Sequence, residues 1–359
     1  MFKKLEFFAI YKKNCKFVET ILVDQLNFKI PMKKLSLLIA FTLYFVSFLN
    51  AQEEYTNKYS MKLFKEADGS FSLINREQYS KIIDLDKIQD LLIPYTYKQS
   101  LISDSDYKGV VTKEYVYKSY PTYDLKLAVD FAQTDKPSPF MVYIHGGGWA
   151  RGDFNANRDI SQYCAKKAGI TGVRISYTLA DKPGATILVT IQDVKDAVKW
   201  IQDNAKELNI KPKVFGFMGG SAGGHLSAVA AMSIPGTKVL IGVSGIYNLQ
   251  SAKISAKATQ PERLAYFSNK DSATMAQASA VNLIKNNKLP AVYLIHGTGD
   301  ITVEWEQSQE FADKLKRNRV KILKLDVYPN YDHNLSSTKS SLKEKLFFES
   351  YNFIVKNLK

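Results

Sequence analysis

The chain has 359 residues, of which 45% are apolar and 23% charged, and a formal net charge of +14. That length suffices for one large domain with a substantial core. Two cysteines, no metal-ligand spacing, no phosphate-binding loop, no repeat and no Lys/Arg block leave no sequence basis for a disulfide framework, a metal or other cofactor, or a nucleic-acid partner.

From Met32 the chain runs MKKLSLLIAFTLYFVSFLNAQ: two lysines, fifteen largely apolar residues from Leu35 to Leu49, then Ala51. This is the pattern of a signal peptide over 32–51, cut after Ala51, and it implies a secreted or periplasmic protein. A retained anchor helix is the rival. Fifteen residues is short for a membrane span and no cysteine follows for lipid attachment, so no stable membrane anchor is expected. Residues 1–31 then read as upstream sequence wrongly included in the frame. The first 51 residues hold eight lysines and three acids, so removing them takes the net charge from +14 to about +9. The remaining excess reads as a solvated surface that favours acidic polymers. Cys164, the one cysteine beyond the leader, reads as a buried helix residue.

Residues 52–108 form an N-terminal extension with one amphipathic stretch, Ile82 to Leu92, stopped by Pro94. The segment EYVYKSYPTYDLKLAVDF then alternates apolar and polar residues about a Pro-containing turn, which predicts an antiparallel pair at a sheet edge. Strands follow at Pro139 to His145, Gly172 to Tyr177, Val214 to Met218, Lys238 to Val243, Ala291 to His296 and Val320 to Tyr328. Helical spacing covers Ile191 to Leu208, Ala222 to Met232, Trp305 to Arg317 and Leu342 to Leu358. The alternation predicts an α/β fold: a mostly parallel sheet of about eight strands with helices on both faces, over residues 109–359. Leu249 to Leu283 is polar and mixed, and predicts a small lid insertion. Both it and the N-terminal extension are expected to border the substrate pocket.

Two glycine-rich segments carry the chemistry. VYIHGGGW holds His145, Gly146, Gly147, Gly148 and Trp149, and GFMGGSAGGH places Ser221 in a Gly219-x-Ser221-x-Gly223 frame. The second reads as a strand-to-helix turn that exposes a nucleophilic hydroxyl, with Gly219 and Gly223 leaving room for backbones to pass. The first reads as an oxyanion loop, because backbone N–H groups reach a developing oxyanion only where no side chain obstructs them. The donors are assigned as the amides of Gly147, Gly148 and Ala222, with Trp149 as a substitute for one of them.

Four histidines make the search for a base short. His145 belongs to the oxyanion loop, His225 follows Ser221 by one helical turn, and His296 ends an apolar run; the last two read as structural. His333, after the turn signal Pro329-Asn330, is left as the base. In a Ser, Asp, His chain order the orienting acid is Asp300, in IHGTGDITV, with Asp326 and Asp332 as weaker rivals.

This constellation resembles the alpha/beta-hydrolase superfamily, and within it the HGGG-bearing esterases related to hormone-sensitive lipase and to the bacterial feruloyl and acetyl-xylan esterase-like group. The resemblance runs from about Val110 to the C-terminus. HGTGDITVEWEQS is similar to the family's acid loop, which carries the orienting aspartate at Asp300. Two departures stand out. Where these esterases have Tyr-Arg-Leu after the fourth strand, this chain has Tyr177-Thr178-Leu179, and the surroundings of His333 are the bulky Asn330-Tyr331-Asp332-His333-Asn334. Asp193 matches a family position and reads as helix and loop packing.

The resemblance implies a serine carboxylester hydrolase acting on a small-molecule or polysaccharide-linked ester, such as an acetyl or feruloyl group, without a cofactor. An arylformamidase or peptidase-like amide hydrolase would use the same residues. A catalytically silent binding protein of this fold usually lacks a triad member, and all three are present here. The sequence leaves the oligomeric state open.

Overall fold

Apolar runs with period-two alternation send successive side chains to opposite faces of a sheet, and two separate cores result. The computed structural model describes residues 55–56, 62–66, 70–74, 77, 106–250, 261–285, 288–336 and 342–359, all within the unit Tyr55–Lys359. The upstream segment 1–31, the signal peptide 32–51, the stretch Ile82 to Leu92 and residues 251–260 of the insertion lie outside the described residues.

Three short strands come first: β1 (Tyr55–Thr56), β2 (Lys62–Lys65) and β3 (Phe71–Leu73) pair antiparallel in a sheet of their own. Next are β4 (Thr112–Tyr120), β5 (Tyr123–Asp130), β6 (Ser138–Ile144), α1 (Arg158–Ala168), β7 (Thr171–Ile175), α2 (Ile187–Asp203), β8 (Ile210–Gly220), α3 (Ala222–Ser233) and β9 (Val239–Val243). The insertion contributes α4 (Pro261–Tyr266), α5 (Ser272–Gln277) and α6 (Ala280–Leu283). The chain closes with β10 (Ala291–Gly297), α7 (Glu306–Arg317), β11 (Leu323–Tyr328) and α8 (Lys343–Leu358).

The large sheet has eight strands in the order β11-β10-β9-β8-β6-β7-β5-β4. β5 runs antiparallel to both β4 and β7, and the other neighbours are parallel. The sheet is open and has the predicted α/β architecture. Phe140, Val142, Ile144, Phe215, Phe217, Leu240, Val292 and Leu294 pack on one face with α2, α3 and α7. Met141, Tyr143, Met218, Val239, Ile241, Tyr293 and Ile295 pack on the other with α1 and α8.

Differences from the sequence expectation have local causes. Helix α2 starts four residues before Ile191, because Thr186 Oγ1 accepts the Val189 N–H as an N-cap. Strand β11 starts after Val320 because the end of α7 runs on through Arg319 at φ 59°, with the Val320 N–H bonded to Leu315 O. Helix α1 is anticipated only at Cys164; its N-cap Asn157 is left-handed and makes no side-chain capping bond. Cys164 on α1 is buried, and burial pushes its thiol up to about 12.

One buried ion pair braces the antiparallel side of the sheet. Arg174 on β7 approaches Asp130 on β5 with Nε 2.7 Å from Oδ2 and Nη2 3.1 Å from Oδ1, and Ser161 of α1 donates to the same carboxylate. Both side chains are almost wholly buried, so losing either partner would strand a charge at a cost of about 3–5 kcal/mol.

Candidate active site

Parallel strands all point the same way, so the loops that follow them gather along one edge of the sheet, where open α/β sheets place their sites. Ser221 follows β8, the glycine loop follows β6, Asp300 follows β10 and His333 follows β11. The pairings Gly220↔Val243 and Val243↔Ile295, and the Ser244 N–H bond to Ile295 O, carry the serine turn toward the acid loop.

Ser221 has φ 55° and ψ −123°, a strained conformation for a residue with a side chain, and its hydroxyl makes no helix-capping bond. The Ser221 N–H is spent on Val243 O at 2.8 Å, which anchors the turn. Gly223 explains its own place in the motif: a Cβ there would fall on the carbonyl oxygen of Ile144, the last residue of β6. The turn therefore packs directly against the start of the glycine loop.

That loop adopts positive φ at three successive residues, Gly147 (107°), Gly148 (62°) and Trp149 (60°). A Cβ on Gly147 would meet the Arg151 carbonyl, so its φ and its space both demand glycine. The N–H groups of Gly147 and Gly148 have no partner among the described residues. Ala222, as the first residue of α3, also has an N–H with no acceptor within its helix. These are the three amides that the sequence nominates as oxyanion donors.

Several contacts hold the loop. Tyr177 donates its hydroxyl to His145 O at 3.0 Å, and its ring stacks on the His145 ring with centroids 4.2 Å apart. His145 Nδ1 donates to Gly146 O at 2.8 Å, and burial pushes this imidazole down to about 4, so it is neutral near pH 7. The Ala180 N–H reaches Trp149 O at 2.8 Å.

Asp300 and His333, the residues the sequence nominates as acid and base, are in contact. His333 Nδ1 lies 2.6 Å from Asp300 Oδ2, and Asp300 Oδ1 accepts the N–H groups of Thr302 and Val303, each at 2.8 Å. His296 Nε2 is 3.1 Å from the same Oδ2 and 3.0 Å from Val303 O, while its Nδ1 is 2.8 Å from Ser308 Oγ. Two acceptors at Nε2 put a proton there. Burial alone would raise the Asp300 carboxyl; the hydrogen bonds from His296 and His333, together with the Val303 N–H, outweigh it and hold the group well below the usual carboxylate range. His333 is partly exposed, and its bond to Asp300 through Nδ1 leaves Nε2 out of that contact. Ser221 Oγ and His333 are not hydrogen-bonded to each other. Asp326 is engaged instead with Lys324 and Tyr293, and Asp332 caps its own turn through the N–H groups of Asn334 and Ser336.

Two features were missed in the sequence. Asp193, with no arginine at Thr178, is met by Lys118 Nζ at 2.8 Å, by the Tyr120 hydroxyl at 2.7 Å and by the Thr178 N–H at 3.0 Å. Lys118 and Tyr120 come from β4, too far away in the chain for spacing to reveal them. His225 links Trp149 to the insertion, and its only signal was its place one turn beyond Ser221. Among the described residues no His/Cys/Asp/Glu cluster has the arrangement of a metal site, and no helix is long and apolar enough to cross a membrane.

An open, mostly parallel sheet with a serine turn, a glycine loop and an Asp–His pair at the strand ends defines an α/β-hydrolase. The BD-FAE family model matches residues 127–315, more than half of the chain, and the protein belongs to that family. The chain is 37% identical over 93 residues to the carboxylesterase NlhH of Mycobacterium tuberculosis, covering 26% of this chain and 28% of that one. It is 25% identical over 249 residues to a probable isoprenylcysteine alpha-carbonyl methylesterase of Oryza sativa, covering 62% and 58%. It thus spans less than two thirds of the length of these curated relatives. The butyrate-bound esterase Est2 of Thermogutta terrifontis shares the fold, with a TM-score of 0.58 at 22% identity, over 69% of this chain and 94% of that one.

Proposed function

We propose that the protein is a serine carboxylic ester hydrolase. The observation that carries this is the 2.6 Å contact of His333 Nδ1 with Asp300 Oδ2, which orients the ring and leaves Nε2 to serve the half-buried Ser221. Relatives named carboxylesterase and esterase support it.

In this reading Ser221 Oγ attacks the ester carbonyl carbon as its proton passes to His333 Nε2, a contact that closes when substrate binds. The oxyanion takes the N–H groups of Gly147, Gly148 and Ala222. Collapse of the tetrahedral intermediate breaks the C–O bond to the alcohol, which leaves with the proton from His333. Water then attacks the acyl-enzyme with His333 again as base, releasing the acid and restoring Ser221. Asp300 stays ionised throughout, consistent with its four hydrogen-bond donors.

The substrate class is read as short-chain or aryl esters, acetyl or feruloyl groups on polysaccharide among them, and the compartment as secreted or periplasmic through the 32–51 leader. N-terminal sequencing of the exported protein checks the leader: a start at Gln52 supports it, and an intact Met32 contradicts it. A second reading, amide hydrolysis by the same residues, is favoured by one relative, the arylacetamide deacetylase of Bos taurus, 26% identical over 160 residues. A p-nitrophenyl alkylphosphonate tests the nucleophile. Phosphonylation at Ser221 by peptide mass mapping supports the proposal, and an unlabelled Ser221, or label elsewhere, refutes it.

A further inference from the structure

His225 is wholly buried, one turn into α3 from Ser221, and its N–H closes on Ser221 O at 3.0 Å. Its two ring nitrogens are used in opposite senses. Trp149 Nε1 lies 3.2 Å from His225 Nδ1, and an indole N–H only donates, so Nδ1 is the acceptor. On the other side His225 Nε2 lies 2.7 Å from Ala278 O, a carbonyl that only accepts, so Nε2 carries the proton. The partners therefore fix one neutral tautomer, and burial, which pushes this imidazole down to about 4, keeps it so.

The three groups joined here belong to three parts of the site. Trp149 is the residue directly after Gly147 and Gly148, and it sits at φ 60°, a conformation that a bulky side chain holds only when its surroundings enforce it. Ala278 follows α5 in the insertion. Phe267 of the same insertion packs edge-on against the Trp149 ring, with centroids 5.3 Å apart. His225 itself is on the helix that begins at the nucleophile.

We propose that His225 is a positioning residue for the oxyanion hole: its Nδ1 holds Trp149, and through it the Gly147 and Gly148 amides, in register with Ser221, while its Nε2 ties the same ring to the 261–283 insertion. This rests on the esterase reading above. An imidazole suits the place because it accepts on one edge and donates on another without carrying charge. The acceptor link is the one that matters for turnover, because displacing oxyanion donors by about 1 Å costs up to about 100-fold.

Two substitutions cut the links separately. His225→Gln places a donor amide near the Nε2 position and keeps the Ala278 bond but removes the Nδ1 acceptor that faces the Trp149 N–H; His225→Asn places an oxygen near the Nδ1 position and keeps the Trp149 bond alone. With p-nitrophenyl acetate, His225→Gln is expected to lower kcat about 10- to 100-fold with KM nearly unchanged, and His225→Asn to stay within about 3-fold of the parent. Trp149→Phe, which deletes only the donor, is expected to match His225→Gln, and the double variant to fall no further.

The chain has three tryptophans, so the indole N–H of Trp149 is assignable in a 15N spectrum by its loss in Trp149→Phe. It is expected to shift in His225→Gln and to stay near its parental position in His225→Asn. Parental kcat in His225→Gln, equal losses in the Asn and Gln variants, or multiplicative losses in the double variant would each overturn the proposal. Should His225→Gln fail to fold by circular dichroism, Trp149→Phe decides, and parental kcat there overturns it. Failure of the parent protein to turn over any ester is a different result: it removes the esterase reading, while the indole shift still reports whether the His225–Trp149 bond exists.

Discussion

Lys118 Nζ on β4 lies 2.8 Å from Asp193 Oδ1 on α2, and the Asp193 side chain is fully buried. The same carboxylate accepts the Thr178 N–H, and the loop that begins there delivers the Ala180 N–H to the Trp149 carbonyl. A cation from the sheet edge thus pairs with the carboxylate that holds the start of the loop bonded to Trp149.

Lys118→Met is expected to destabilise the fold by about 2 kcal/mol, between the values for exposed and fully buried pairs. Lys118 is itself about one quarter exposed, which keeps the cost below the buried limit. Urea denaturation at pH 7 measures it. A midpoint equal to that of the parent protein would show that Tyr120 and Thr178 satisfy Asp193 without the charge.

Asp300→Asn is expected to lower kcat by about 10⁴-fold while leaving the fold in place, because the amide no longer fixes the His333 tautomer or stabilises its cation. The carboxyl is held below its ordinary range in the folded protein, its burial outweighed by the bonds from His296 and His333. Its contribution to stability is therefore complete above the unfolded value of about 3.9 and is lost as pH falls below that toward the folded value. Denaturation midpoints of the parent and Asp300→Asn should differ at pH 7 and converge on acidification below about pH 4. A constant difference down to pH 2.5 would contradict the linkage.

His145 and His225 give a second pH dependence in a different window. Burial lowers both from the ordinary 6.5 to about 4, so between these values the unfolded chain binds protons that the folded protein refuses. Stability from these two groups is full above about pH 6.5 and is lost as pH falls toward 4, by up to about 3 kcal/mol for each histidine. Urea midpoints between pH 7.5 and 4.5 should fall steadily, and less so in His225→Asn. Midpoints that stay level from pH 7.5 to 5 would rule this out.

How much of this was legible depended on whether the information was local. The serine turn and the glycine loop are continuous segments whose composition follows from their own steric needs, as the contact between Gly223 and the Ile144 carbonyl shows. The β4–β5 hairpin announced itself through its alternation and the Pro121 turn. Helix α1 showed itself only at Cys164. Strands β1 to β3 did not show themselves, because they are two to four residues long, too short for a period to register. Non-local partners were hidden for another reason: Lys118–Asp193 spans 75 residues and Trp149–His225 spans 76, and only the sheet order brings them together. His296, four residues before Asp300, was close enough to suspect, but nothing in its apolar run says that the ring turns toward the acid.

With Ser221 as the nucleophile of an ester hydrolase, turnover of p-nitrophenyl acetate, p-nitrophenyl butyrate, methyl ferulate and acetylated xylan is to be compared between the protein and Ser221→Ala. Saturable hydrolysis by the parent protein, with kcat lower by about 10⁶-fold in Ser221→Ala, is the expected result. No hydrolysis by the parent protein, or equal hydrolysis by both, would contradict it.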